Sequence, residues 1–219
     1  MLIVSAERRE LAGVARRADG LEKVHLGLRW SRLARLAGRR VVLAANGAGR
    51  VHAARAVHAA CQRLAVRAVV STGWCGGLAP ELRVSQVVVA DRVLSVEPPA
   101  AYQVRLPDGA GFVSGGVVTV DRFVQTAAEK RKLFLSTGAI AVEMEAAGAA
   151  EEAQKRGLPF FCVRVVSDEA GESFEMDFNR ARLADGRFSI PRVLAQAGVS
   201  VTRWKELLNL RSRDRLASE

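Results

Sequence analysis

The sequence predicts an α/β fold in three layers, with helices on both faces of a mixed, mostly parallel central sheet. Three observations carry this. Short apolar strand-like runs alternate with helix-period segments from the first residues to about residue 166. Several of those runs end in glycine and small residues, as strands of an α/β sheet do where ligands approach their carboxyl ends. Finally, 219 residues with 49% hydrophobic and 26% charged side chains fill one core and suit a single domain over residues 1–219.

Taken in order, Leu2-Ile3-Val4 is a short apolar strand, and residues 7–17 follow with helical periodicity. Residues 24–30 alternate with period two, the pattern of a half-buried strand. Residues 40–45 read as a continuous buried strand ending in Asn46-Gly47-Ala48-Gly49, and an alanine-rich helix runs from there to Leu64. A strand at residues 67–71 leads into a glycine-rich turn at residues 73–77, and another strand covers residues 86–93. Proline and glycine make residues 97–116 a loop. A strand at 117–120, a helix at 123–135, a strand at 139–142, a helix at 144–156 and a strand at 160–166 complete the alternation.

Composition narrows the function classes. The apolar runs, such as Val87-Val88-Val89-Ala90, fall far short of the roughly 18 residues of a membrane span. Charges at Glu7, Arg8 and Arg9 come too early for a secretory signal. Cys61, Cys75 and Cys162 lack C-x-x-C spacing, which speaks against a disulfide framework or zinc site and for a reducing, cytoplasmic location. The net charge of +10 invites a nucleic-acid reading, but the 33 Lys and Arg are scattered and aromatics are only 5% of the chain. Without a basic run interleaved with stacking rings, these charges read as a solvated face. His25, His52 and His58 are isolated from cysteine and are not at the i, i+4 spacing of a helical metal pair, so no metal or other cofactor is expected.

Two glycine-rich segments, Asn46-Gly47-Ala48-Gly49 and Thr72-Gly73-Trp74-Cys75-Gly76-Gly77, match neither a P-loop nor a G-x-G-x-x-G helix start. A second pair of segments says more. Val142-Glu143-Met144-Glu145 places two carboxylates where a strand becomes a helix, and Arg164-Val165-Val166-Ser167-Asp168 places Arg164 inside a strand with Asp168 just past its end. A buried carboxylate is costly unless it is paired or working. An Arg164–Glu ion pair with Asp168 as a helix cap would account for them structurally. Two charged motifs at strand ends in one chain favour a site.

These segments resemble the nucleoside phosphorylase/nucleosidase superfamily, and in particular its 5′-methylthioadenosine/S-adenosylhomocysteine nucleosidases. The residues concerned are Ala141-Val142-Glu143-Met144-Glu145-Ala146-Ala147, Leu158-Pro159-Phe160 and Val163 to Asp168. Ser5-Ala6-Glu7-Arg8-Arg9-Glu10, Asn46 to Val51, Thr72 to Pro80 and Thr119-Val120-Asp121-Arg122-Phe123 agree in order and spacing. The resemblance covers residues 1–170 and implies a nucleoside phosphorylase-like fold, a homodimer and a small-molecule nucleoside as partner. It implies Asp168 as the acid at the purine, with Ser167 beside it, Glu10 orienting the attacking water, and Arg164 near that water. Glu145 would grip the ribose hydroxyls and face the oxocarbenium ion, with Met144 packing on the sugar and Glu143 alongside. Phe123 would stack on the base, next to Val124. Burial beside an apolar base pocket is expected to keep Asp168 protonated near neutrality.

The same resemblance favours hydrolysis. The phosphorylases of the superfamily hold phosphate with Arg at the position of Ser71 and Ser or Thr at that of Trp74, and their early Gly-x-Pro-x-Arg loop is absent here. Two departures bear on the substrate: Trp74 replaces a small hydroxyl residue by the ribose, and Ala48 replaces a larger aliphatic residue near the 5′ group. Purine (adenine) nucleosides with a modified 5′ position are therefore expected. Asp185-Gly186-Arg187 and Pro191-Arg192-Val193-Leu194 are similar to the hopanoid-associated phosphorylases, which are linked to an adenosylated lipid; phosphorolysis is the alternative. A non-catalytic nucleoside or nucleic-acid binding protein is a third reading. The tail, about 199–217, carries Trp204, Leu207, Leu208 and Arg211 at helical spacing, an amphipathic helix suited to docking on its own domain or, weakly, on a membrane surface.

Overall fold

A computed structural model describes residues 1–183, 185–186 and 189–197. The tail helix expected at 199–217 and Arg187 lie outside these residues. Ten strands and six helices alternate along the described chain: β1 Leu2–Ser5, a 3-10 turn Arg8–Leu11, α1 Ala12–Arg16, β2 Asp19–Lys23, β3 Trp30–Leu36, β4 Arg39–Ala45, α2 Arg50–Arg63, β5 Val69–Gly77 and β6 Val87–Ser95. Then follow β7 Ala100–Gln103, β8 Val113–Thr119, α3 Ala127–Thr137, β9 Ala141–Glu143, α4 Ala146–Lys155, β10 Phe160–Asp168, α5 Phe178–Ala181 and α6 Ile190–Ala197.

The fold is α/β with a mixed sheet, as predicted. Parallel pairing runs from β4 through β1 and β5 to β10, and the β2–β3–β4 edge is antiparallel. Beyond β5 the sheet closes on itself: β10 pairs β6, β6 pairs β8, β8 pairs β9, and β9 returns to β5. Register shifts between Ala90 and Arg92 and between Val166 and Asp168 give the extra bend that such closure needs. Leu2, Val4, Val42, Ala44, Val69 and Cys162 pack with α2 and α4 residues such as Ala56, Val57, Ala149 and Ala153 in the main core. Ile3, Leu11, Val41 and Leu43 form a second cluster on the opposite face, so β1 and β4 are covered on both sides. The small residues of α4 let it approach α2 closely: a Cβ on Gly148 would lie 2.0 Å from the Arg50 carbonyl oxygen.

Four predicted elements are corrected. Residues 24–29 are not a strand; Gly27 takes φ +71° there, and the stretch joins β2 to β3, which begins at Trp30. The apolar alternation misled because β2 is exposed along its whole length and carries no buried period to read. Residues 73–77 are not a turn but the second half of β5, extended glycines beside bulky neighbours. Residues 97–116 hold β7 and the start of β8. The third helix starts four residues late, at Ala127, because Thr126 and Glu129 form a capping box, and it stops at Gly138 in the left-handed region.

Candidate active site

The charged residues that the sequence singled out come together around β5: Glu10 from the turn after β1, Glu143 and Glu145 from the end of β9, Arg164 from the middle of β10 and Asp168 from its end. Glu10 sits in the 3-10 turn after β1. The Glu7 amide donates to its Oε2 at 2.7 Å and the Trp74 amide reaches its Oε1 at 3.4 Å. That approach depends on Gly73, whose added Cβ would lie 2.9 Å from Glu10 Oε1. Burial pushes the Glu10 carboxyl up to about 7, against the pull of the Glu7 amide and of Arg164.

Arg164, 1% exposed, projects from β10 and donates to Glu143 Oε2 at 2.5 Å and to Ser71 Oγ at 2.9 Å. Its Nε has no hydrogen-bond partner among the described residues. Glu143 is saturated by protein: Oε2 also accepts the Glu145 and Ala146 amides at 2.9 and 2.8 Å, and Oε1 accepts the Thr119 hydroxyl. The Arg–Glu ion pair anticipated in the sequence therefore exists, with Glu143 as its partner. Glu143 clamps the N-terminus of α4 to β10, which favours its negative charge there.

Glu145 is turned elsewhere. Its Oε1 accepts the Gly49 amide at 2.8 Å, which ties the start of α4 to the glycine turn before α2. Burial, then the like charges of Glu143 and Glu10, push its carboxyl up to about 8. Met144 and Val124 are buried and Ala48 lies under the 178–186 segment, its carbonyl accepting from Arg182 and its amide donating to Gly186. Trp74 is half-buried, with the Arg9 guanidinium 4.7 Å from its ring centroid.

At the end of β10, Asp168 is 3% exposed and Ser167 lies beside it, its hydroxyl 2.6 Å from Asp168 Oδ1. The apolar surroundings expected for Asp168 are not the whole of its environment. Lys130 Nζ, on the wholly buried side chain of an α3 residue, is 2.6 Å from Asp168 Oδ2, so the carboxyl meets a cation as well as an apolar wall. The sequence reading missed Lys130, which stands in the charge run Glu129-Lys130-Arg131-Lys132 and looks like part of a solvated face. It also missed Phe174 and Phe178, whose ring centroids lie 5.4 and 4.9 Å from that of Phe123. The four-residue spacing of Phe174 and Phe178 after Asp168 is the signal that could have found them. Asn179 fixes this group by accepting the Phe123 amide and donating back to its carbonyl.

The arrangement gathers three carboxylates, Glu10, Glu143 and Glu145, around one guanidinium, with a separate carboxylate–lysine pair against an aromatic group. Among the described residues no group of three His, Cys, Asp or Glu is placed to hold a metal ion, and no helix is long and apolar enough to cross a membrane.

Comparison with known proteins identifies the family. The family model of the phosphorylase superfamily matches residues 2–109 and 100–186. A 5′-methylthioadenosine/S-adenosylhomocysteine nucleosidase of Geobacillus kaustophilus is 30% identical over 90% of this chain and 96% of its own. One from Mycobacterium tuberculosis is 28% identical over 64% of this chain and 74% of its own. Among solved structures, the Neisseria meningitidis nucleosidase in complex with methylthio-immucillin-A superposes with a TM-score of 0.71 at 25% identity, covering 99% of this chain and 95% of that one. A mutant Helicobacter pylori nucleosidase with 5′-methylthioadenosine in its active site gives 0.72 at 20% identity, covering 95% and 97%.

Proposed function

The chain belongs to the phosphorylase superfamily, and from that premise we propose that it hydrolyses the N-glycosidic bond of an adenine nucleoside carrying a modified 5′ group. Cleavage leaves positive charge on the sugar and negative charge on the departing purine, so the chemistry needs a carboxylate facing the sugar, a base for water and an acid at the purine. Glu145 takes the first role, with its second carboxylate oxygen available to ribose hydroxyls. Glu10, at about 7, has the proton affinity of a base poised at neutrality. Asp168 takes the third, beside the Phe123 group that stacks on the base. Glu143 and Arg164 act as positioning residues, holding α4 and β10 so that these groups face one another.

The observation that carries hydrolysis over phosphorolysis is that the guanidinium of the cluster is already bound by protein. Glu10, Glu143 and Glu145 outnumber the one guanidinium among them, and Arg164 is already held by Glu143 and Ser71. A phosphate dianion would find that guanidinium already engaged and carboxyl groups around it, whereas a water molecule would meet Glu10 as a base.

The test is base release from adenosine, methylthioadenosine and a long-chain 5′-alkylthioadenosine, with and without phosphate. Adenine should appear at the same rate in both, with a sugar product that carries no phosphate. A strict phosphate requirement with sugar 1-phosphate as product would establish the phosphorylase alternative, and binding without any release would establish a non-catalytic protein.

A further inference from the structure

Lys130 is the feature of the site that the proposed reaction has not used. Its side chain is wholly buried, and its ammonium lies 2.6 Å from Asp168 Oδ2 and donates to the Glu169 carbonyl at 2.6 Å. The Phe174 ring covers it, with the centroid 5.6 Å from Nζ, so Lys130, Asp168 and the Phe123–Phe174–Phe178 group form one continuous wall. Replacing a buried ion pair by apolar residues is often neutral or stabilising, so such a pair at a strand end is not explained by fold stability.

The two oxygens of Asp168 face donors: Lys130 at Oδ2 and the Ser167 hydroxyl at Oδ1. An ammonium on one oxygen and a hydroxyl on the other are thus the two groups placed to hand a proton to this carboxyl. Ser167 has a second acceptor, the Cys75 carbonyl at 3.1 Å. Its hydrogen can therefore turn away from Oδ1 when the carboxyl takes up a proton, leaving the serine oxygen as an acceptor.

We propose that Lys130 is the proton reservoir for the leaving purine, loading Asp168 as the glycosidic bond breaks. The proposal rests on the nucleosidase reading above. In the step, the C1′–N9 bond breaks and its electron pair stays on the purine. N7 takes a proton from the Asp168 carboxyl, which takes one from the Lys130 ammonium and leaves a neutral amine. Water adds to C1′ and gives its proton to Glu10, and Lys130 regains a proton from solvent as the products leave. Lys130 thus acts through Asp168 and is a positioning and proton-holding residue rather than one that touches substrate.

Two variants separate this role from plain charge or packing. Lys130→Arg keeps the cation, but a guanidinium does not give up its proton. Its kcat for adenine release should fall at least 100-fold, with KM within about threefold of wild type. Lys130→Met should fall as far, and the double variant Lys130→Met/Asp168→Asn should be no slower than Asp168→Asn alone, because both changes cut the same chain. The double variant leaves no unpaired buried charge, so it keeps the comparison open if Lys130→Met does not fold. Circular dichroism checks the fold of each. Lys130→Arg within tenfold of wild-type kcat, or a folded double variant far slower than Asp168→Asn, would overturn the relay while leaving the nucleosidase reading intact. Wild-type protein that frees no base from any of the three nucleosides would overturn the reading itself and the relay with it.

Discussion

Replacing Glu145 by glutamine should make the protein more stable and less active, and the gain should depend on pH. Gln Oε1 can keep the bond to the Gly49 amide that Glu145 makes at 2.8 Å, so the change removes a charge and little else. A carboxyl that titrates at about 8 instead of 4.5 carries, once ionised, up to about 5 kcal/mol of penalty at 1.36 kcal/mol per pH unit. Half-burial and the sharing of charge with Glu143 and Glu10 reduce the expected gain to about 2–3 kcal/mol. The sign follows from linkage: the folded state holds this proton more tightly than the unfolded state. The stabilisation is therefore complete below about pH 4.5 and is lost as pH climbs through 8. For a chain of this size each kcal/mol is worth about 2–4 °C in Tm. Thermal unfolding at pH 8.5 should place Glu145→Gln about 4–12 °C above wild type, and at pH 5 the two should lie within about 2 °C. The same variant should lose at least 100-fold in kcat/KM, because the oxocarbenium ion loses its counter-charge. A lower Tm at pH 8.5, or an equal shift at both pH values, would refute the charge argument and make Glu145 a structural residue.

Three further outcomes follow from the same geometry. Gly73→Ala places a Cβ 2.9 Å from Glu10 Oε1 at φ +148°; it should cost about 1–3 kcal/mol of stability and lower kcat by displacing the base, as read by chemical denaturation and base release. The kcat/KM profile should rise between about pH 7 and 8 as Glu10 and then Glu145 ionise, and Glu10→Gln should remove the lower step and leave the upper one; a wild-type profile flat from pH 5.5 to 8 would deny Glu10 the role. Trp74→Ser should relax the preference for apolar 5′ groups, which at about 10- to 200-fold per group is measurable as the kcat/KM ratio of methylthioadenosine to adenosine; an unchanged ratio would make Trp74 a packing residue for Arg9.

Legibility in the sequence followed burial. β1, β4, β10, α2 and α4 carry apolar runs or a small-residue face, and each was read near its true place. β2 has no buried side at all, and its strand character comes from pairing with β3, a tertiary fact that no local pattern records. At the site, Glu143 and Glu145 stand two residues apart and look alike in sequence. Only the fold shows that one is consumed by Arg164 and the start of α4 while the other stands partly buried beside Gly49 with a single amide on it. Lys130 escaped for the opposite reason: three of its neighbours in the chain are charged, and the helix turns only one of them inward.

The glycine-rich half of β5 was read as a turn because glycine normally weakens a strand, yet its pairing with β10 explains why the strand tolerates it. In that parallel register Arg164 stands opposite Gly73 and Asp168 opposite Gly76. Each charged residue of β10 thus faces a position with no side chain, and a Cβ at Gly76 would lie 3.1 Å from Asp168 Oδ2. A strand of ordinary residues at β5 would push Glu10 away on one side and the Asp168 carboxyl on the other. The two motifs, Thr72-Gly73-Trp74-Cys75-Gly76-Gly77 and Arg164-Val165-Val166-Ser167-Asp168, are therefore one device divided between neighbouring strands. The glycines give up packing on β5 so that charges on β10 and in the 3-10 turn can converge, and the closed half of the sheet supplies the rigidity that the glycines forgo.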